Sequence, residues 1–213
     1  VSTSIEDVRR ALANRPPKPL PVAVSRRAAV AAVLREAGPD LELLFIRRAE
    51  DPRDRWSGQM AFPGGRSEPG DSDLVATAVR ETTEEIGLDL NAQGELLGGL
   101  DEVHAIALGR PVDLSITPFV FRLQGKAHLT LSAEVTSLHW LPLDDLLGER
   151  HLSTFEFVHD GIPLRLPCLR VGDVVIWGLT FRMFSSLRHV LSHRPDRMPQ
   201  AVIRSGRKSS HRS

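Results

Sequence analysis

Three glutamates, Glu81, Glu84 and Glu85, crowd into one turn of a segment that reads Phe62-Pro63-Gly64-Gly65, then a short polar stretch, then Arg80-Glu81-Thr82-Thr83-Glu84-Glu85-Ile86-Gly87-Leu88. Wound at about 3.6 residues per turn, the glutamates fall on one side of a helix, while Val75, Val79, Thr82 and Ile86 fall on another. Like charges so close repel, and no lysines stand at i+4 to relieve them. A solvated acidic face is the ordinary explanation of a bare E-x-x-E-E. Here a glycine turn feeds the helix, and oxygen-only ligands on a rigid element suit a hard divalent cation, Mg2+ or Mn2+, better than zinc. The eight histidines include no H-E-x-x-H pair that would point to zinc instead.

The elements that must carry this segment can be read from the rest of the chain. The helix is expected over Ser72 or Asp73 to Ile86, with one of the first two residues as cap and Gly87 at a left-handed end. Ile5, Val8 and Leu12 behind Ser4 predict a short leading helix, and the prolines between Arg15 and Pro21 an extended arm. Ala28–Leu34 and Leu41–Arg47, flanking Glu36-Ala37-Gly38-Pro39-Asp40 as a turn, predict a hairpin. Leu96–Glu102 and Ser115–Leu123 predict further strands, with Val103–Asp113 between them as a loop that could wall a pocket. Asp144-Asp145-Leu146-Leu147 suggests a short helix, Phe155–Val158 and Pro163–Leu169 a hairpin that could cover the site, and Val174–Thr180 the lead into a helix carrying Phe181, Phe184, Leu187, Val190 and Leu191. Periodicity alone says mixed α and β.

The bulk properties narrow the classes. A chain of 213 residues, 41% apolar and 25% charged, is expected to build one globular domain. Lys+Arg and Asp+Glu both total 27, so the summed charge offers no field for nucleic acid or an anionic membrane. The single cysteine, Cys168, has no disulfide partner and sits in an apolar run, so a buried structural thiol is expected. With no leader and no spanning apolar run, a soluble, cytoplasmic protein is the expectation. Residues 1–27 form a leading helix and arm, 28–192 the main domain, and 193–213 a basic tail expected to be mobile. Arg47, Arg53 and Arg55, in a loop context with Trp56, are candidate substrate-binding groups; pairing of these arginines with the loop's own aspartates is the competing explanation.

The glycine-to-glutamate segment resembles the Nudix box, G-x5-E-x7-R-E-U-x-E-E-x-G-U, with U a bulky apolar residue. Arg80, Glu81, Glu84, Glu85, Gly87 and Leu88 match, while Thr82 replaces an aliphatic residue and Asp71 replaces the first glutamate with one extra residue before Arg80. The Phe-Pro-Gly-Gly opening, the aspartate, the extension and Ile176-Trp177-Gly178 are similar to the coenzyme A diphosphatase branch. Leu43-Leu44 and Gly58 also match that branch's upstream motif, but Asp54 stands where a spaced arginine is expected.

The resemblance implies an α+β fold, the Nudix-type α/β/α sandwich with a mixed sheet, and hydrolysis of a diphosphate bond. It implies Gly65, Glu81, Glu84 and Glu85 as metal ligands for Mg2+ or Mn2+, with Gly65 using its carbonyl, and Arg80 positioning the glutamates. Glu81, Glu84 and the loop residue Glu134, six residues before Trp140, are alternative general bases; Glu134 is alternatively a further metal ligand, or an ordinary exposed loop carboxylate. The expected partner is a small nucleotide diphosphate, coenzyme A or a thioester foremost, with neither nucleic acid nor membrane, and a homodimer is admissible. A generalist acting on nucleotide sugars, dinucleotides, NADH or nucleoside triphosphates is the alternative enzyme. A non-catalytic Nudix-fold binding or regulatory module is the alternative of another class.

Overall fold

The computed structural model describes residues 2–13, 16–54, 56–107, 110–159 and 162–192. The basic tail 193–213, Arg15, Arg55, Gly109, Asp160 and Gly161 lie outside them.

The central strand explains the layering. β1 (Arg27–Ala37) is an almost unbroken apolar run, the signature of a strand buried on both faces. Ala28, Val30, Ala32 and Leu34 enter one hydrophobic cluster, and Ala29, Ala31 and Val33 enter the other. β1 pairs antiparallel with β2 (Asp40–Arg48) through the expected hairpin, and parallel with β7 (Arg110–Leu123) on its other side. β3 (Met60–Ala61) and β8 (Val135–Pro142) pair with β2, β4 (Gly64–Arg66) with β1, and β5 (Gly94–Gly99) and β6 (Val103–Ala107) with β7. One parallel pairing among antiparallel ones makes the sheet mixed.

Helices cover both faces. α2 (Leu74–Ile86) packs Ala78, Val79 and Ile86 against Leu44, Ile46 and Phe121. On the opposite face α1 (Ile5–Ala13), α4 (Leu143–Leu147) and α5 (Gly178–Ser192) contribute Ile5, Val8, Leu12, Leu143, Leu146, Phe181, Phe184 and Leu187. Each such side chain, fully buried, contributes about 1.5–3 kcal/mol of transfer free energy. The remaining short helix is α3 (Leu90–Gln93). The result is the expected α/β/α sandwich.

Local signals set the ends of the helices. Ser4 Oγ accepts the Asp7 N–H at 3.2 Å while the Asp7 carboxylate accepts the Ser4 N–H at 3.1 Å, a reciprocal cap on α1. Asp73 caps α2 by accepting the Ala76 N–H at 2.8 Å, and Gly87, at φ +68°, closes it with its N–H on the Thr83 carbonyl. The polar Thr82 is tolerated inside the core because its hydroxyl donates to the Ala78 carbonyl at 2.6 Å. The proline arm is pinned: the Lys18 N–H reaches Asp101 Oδ1 at 2.9 Å, and the Leu20 N–H reaches Glu102 Oε2 at 3.1 Å.

One expectation is corrected, and one hairpin is found as expected. The predicted loop Val103–Asp113 is strand at both ends: Val103–Ala107 is β6, with Val103 and Ala105 buried in alternation and Ile106 exposed, and Arg110 and Pro111 already pair with it as the start of β7. The predicted hairpin, β9 (Leu152–His159) and β10 (Ile162–Val171), joins β11 (Val174–Trp177) in a separate three-stranded sheet in which Phe155 stacks on Trp177 at 4.6 Å.

β4 is the tightest joint. A Cβ at Gly64, where φ is +149°, would lie 2.3 Å from the Ala29 carbonyl oxygen and 2.5 Å from Val30 Cα. Both neighbours are backbone and cannot step aside. Gly64→Ala should therefore cost at least about 2 kcal/mol and lower the midpoint of thermal unfolding followed by circular dichroism; an unchanged midpoint would refute this packing.

Candidate active site

The β4 turn delivers its glycines to the acidic side of α2. Gly64 donates its N–H to Glu85 Oε2 at 2.8 Å, and a Cβ on Gly65 would lie 2.4 Å from Glu81 Oε1. The two glycines thus let two carboxylates lie directly against main chain. Glu85 is only 3% exposed. Burial pushes its carboxyl up to about 7, against the pull of the Gly64 N–H and of Arg48, whose Nη1 is 3.8 Å from Glu85 Oε1. Burial also pushes Glu81 up, against the pull of Arg80.

Arg80 is the hub of the cluster. Its Nη1 donates to Glu81 Oε1 and to Glu84 Oε2, both at 3.1 Å, and its Nη2 donates to the Arg66 carbonyl at 2.9 Å. Its opposite edge is clamped by Asp71, through Nε at 2.9 Å and Nη2 at 3.1 Å, in the fork geometry suited to a carboxylate. Asp71 also accepts the Thr77 hydroxyl at 2.8 Å and the Glu68 N–H at 2.9 Å. The Arg80 guanidinium, with those two donors, holds the Asp71 carboxyl well below the usual range. The residue that departs from the box pattern is therefore the anchor of the arginine.

The loop bearing Glu134 is strapped to the end of α2. The Thr130 N–H donates to the Ile86 carbonyl and the Ser132 N–H to the Glu85 carbonyl, both at 2.9 Å, while the Glu134 carbonyl accepts the Ala49 N–H at 2.8 Å. Glu134 itself is exposed, and its charge is near enough to raise the carboxyls of Glu81 and Glu85.

Beside the glycines opens a cavity of 290 Å³. Its walls are largely apolar, with Trp56, Phe62, Ile116 and Met183 among them, and Gly64, Gly65, Arg48 and Arg66 at the polar part. Among the described residues of segment 103–113 and of the β9–β10 hairpin, none lines this cavity.

The structure brings together Gly65, Arg80, Glu81, Glu84 and Glu85, with Glu134 alongside. It does not bring in Arg53, which is 91% exposed on its side chain and bonded to Asp51. Arg47 does not line the cavity, and Arg55 lies outside the described residues. The arginine that faces the site is Arg48, which the sequence reading missed. The signal was strand parity: Leu44 and Ile46 face α2, and Arg48 continues their side of β2.

The donor set fits a hard divalent cation. Carboxylates and a main-chain carbonyl are the right chemistry, and the Gly65 cradle and the buried Glu85 leave negative charge for which a cation is the natural complement. As placed, no three His, Cys, Asp or Glu side chains among the described residues converge on one ion-sized point. Arg80 draws Glu81 and Glu84, and Gly64 draws Glu85, which accounts for that arrangement.

The depressed Asp71 carboxyl gives a pH test. Its stabilisation is fully present above the unfolded value of about 3.9 and is lost as pH falls toward the lower folded value. Asp71→Asn should lower the unfolding midpoint at pH 7, and the gap to the parent should narrow progressively below about pH 4. Thermal melts at several pH values check this, and a gap that widens in acid would contradict it.

The model of the NUDIX domain matches residues 24–160, well over half of the chain. A Yersinia pestis protein described as an uncharacterized Nudix hydrolase, NudL, is 30% identical over 175 residues, covering 80% of this chain and 82% of its own. An uncharacterized Schizosaccharomyces pombe protein is 43% identical over 108 residues, covering 49% of this chain; the chain spans about a third, 33%, of that relative's length. Among solved structures, a binary complex of the Caenorhabditis elegans Ap4A hydrolase aligns over 57% of this chain and 83% of its own, at 23% identity and a TM-score of 0.48. The domain match over residues 24–160 and the 30% identical relative, aligned over four fifths of both chains, show that the chain belongs to the Nudix hydrolase family.

Proposed function

We propose that the protein hydrolyses the diphosphate bond of a nucleoside diphosphate linked to a second group, with coenzyme A or its thioesters as the preferred substrate. One observation carries this: Gly64 and Gly65 are at once the support of the Glu81 and Glu85 carboxylates and part of the wall of the apolar cavity. A diphosphate over the glycines would meet the acidic cluster while the group beside it enters the cavity.

A diphosphate resists hydrolysis because its own negative charge repels a nucleophile, so charge must be neutralised and a water aligned with the leaving oxygen. Glu81, Glu85 and the Gly65 carbonyl, with Glu84 in support, would hold Mg2+ or Mn2+, which supplies that neutralisation. Arg80, itself clamped by Asp71, orients Glu81 and Glu84. The water oxygen bonds to one phosphorus, the bridging P–O bond breaks, and the water's proton passes to a carboxylate. Glu81, Glu84 and Glu134 are the candidates to take it; Glu84 and Glu134 are both exposed, and Glu84 is held by Arg80. With coenzyme A the products are adenosine 3',5'-bisphosphate and 4'-phosphopantetheine.

A broader nucleotide diphosphatase is the second reading, and one observation favours it. Of the two arginines on the cavity wall among the described residues, Arg48 is already paired with Asp54, which leaves less positive charge there for a substrate bearing an extra phosphate. The retained glutamates argue against a purely binding module.

Incubation of the protein with coenzyme A, acyl thioesters, NADH, nucleotide sugars and dinucleotides, each with Mg2+ and with Mn2+, followed by mass identification of products, tests the substrate. The bisphosphate should appear from coenzyme A; its absence beside faster turnover of another substrate would select the second reading. Glu85→Gln should reduce metal-dependent hydrolysis at least about a thousandfold, the scale of a lost charge-stabilising group at a reacting centre. Full activity in that variant would refute the ligand assignment.

A further inference from the structure

Arg48 stands between two carboxylates. Its Nε and Nη2 both donate to Asp54 Oδ2, at 2.9 and 2.8 Å, while its Nη1 stays 3.8 Å from Glu85 Oε1. The pairs are sheltered: the side chains of Arg48 and Asp54 are 27% and 20% exposed, and that of Glu85 is 4% exposed. Asp54 is fixed independently of the arginine. Its Oδ1 accepts the Trp56 N–H at 3.0 Å, its own N–H donates to the Asp51 carbonyl at 2.9 Å, and its carbonyl accepts the Ser57 N–H at 3.2 Å. The turn thus presents one remaining oxygen to Arg48.

Without that oxygen, the carboxylate nearest to Arg48 is Glu85. A shift of about an ångström would bring the guanidinium into full hydrogen-bonding distance of it. A guanidinium and a divalent cation would then compete for the same buried oxygen. The geometry points to Asp54 as a positioning residue that holds Arg48 off Glu85 and so leaves the Glu85 carboxylate able to ligate a divalent cation. This rests on the metal reading above and adds a residue that never touches the metal or the reacting atoms.

The test is Mn2+ binding without substrate, read from the electron paramagnetic resonance of free Mn2+. Asp54→Asn keeps the side chain's size and an oxygen for the Trp56 N–H but removes the charge. It should raise the Kd for Mn2+ at least fivefold. Arg48→Ala should bind at least as tightly as the parent, and adding Asp54→Asn to it should change the Kd by less than twofold, because the intermediary is gone. Asp54→Glu should recover most of the lost affinity. Asp54→Ser, whose hydroxyl can also accept the Trp56 N–H, is the second charge-removing variant should Asp54→Asn fail to fold, and the same loss is expected. A charge-removing variant that binds within twofold of the parent overturns the inference, as does an equal loss in the Arg48→Ala background. A parent that takes up no Mn2+ overturns the metal reading and this inference together, whereas a parent that binds alongside an unaffected Asp54→Asn overturns this inference alone.

Discussion

A carboxylate taken out of water has to be given partners, and the hydrogen bond from the Gly64 N–H to Glu85 at 2.8 Å is the partner around which this site is built. The bond exists only because the β4 backbone approaches α2 closely. That approach needs a residue without a side chain in an unusual conformation, and it needs β4 locked to β1 by the Ala29–Gly65 and Val30–Gly64 pairs. Strand β1 can supply that lock because it is buried on both sides and therefore rigid. Sheet, glycines and acidic helix are consequences of one another.

The charges around Glu85 form two groups, each gathered on one arginine. Arg80 is shared among Asp71, Glu81 and Glu84, and Arg48 is assigned to Asp54. In each group an aspartate outside the glutamate cluster takes one edge of a guanidinium. Arginine suits this use because its planar fork can serve several acceptors in fixed directions, which a lysine ammonium cannot do. Negative charge is therefore retained at the glycines while the arginines that approach it are kept under restraint.

Much of this architecture is written in local signals. The Asp73 cap, the Gly87 stop and the 3.6-residue spacing define α2, and the Gly-Pro-Asp turn between apolar runs defines the β1–β2 hairpin. The acidic cluster is legible because it lies on one helix, where spacing gives direction. What spacing does not give is pairing between distant segments. Arg48 and Arg53 look alike in sequence, yet one continues the α2-facing side of β2 and the other turns back to Asp51 two residues away. Strand β6 is hidden by the Gly-Arg-Pro sequence that follows it, and the separate β9–β11 sheet depends on Trp177 meeting Phe155 and Phe157 from across the sequence. Asp71 reads as an imperfect match until Arg80 is seen lying across it.

The parallel pairing of β1 with β7 joins residues as far apart as Arg27 and Ser115. Closing so long a loop costs chain entropy before any contact repays it, and topologies dominated by such pairings fold slowly. The helix that bears the glutamates lies inside that loop and packs against both strands that close it, through Ala29, Ala31 and Val33 on one and Phe121 on the other. The seat of α2 is therefore built from strands more than eighty residues apart, and the acidic face it carries exists as a site only in a chain whose two distant segments have met.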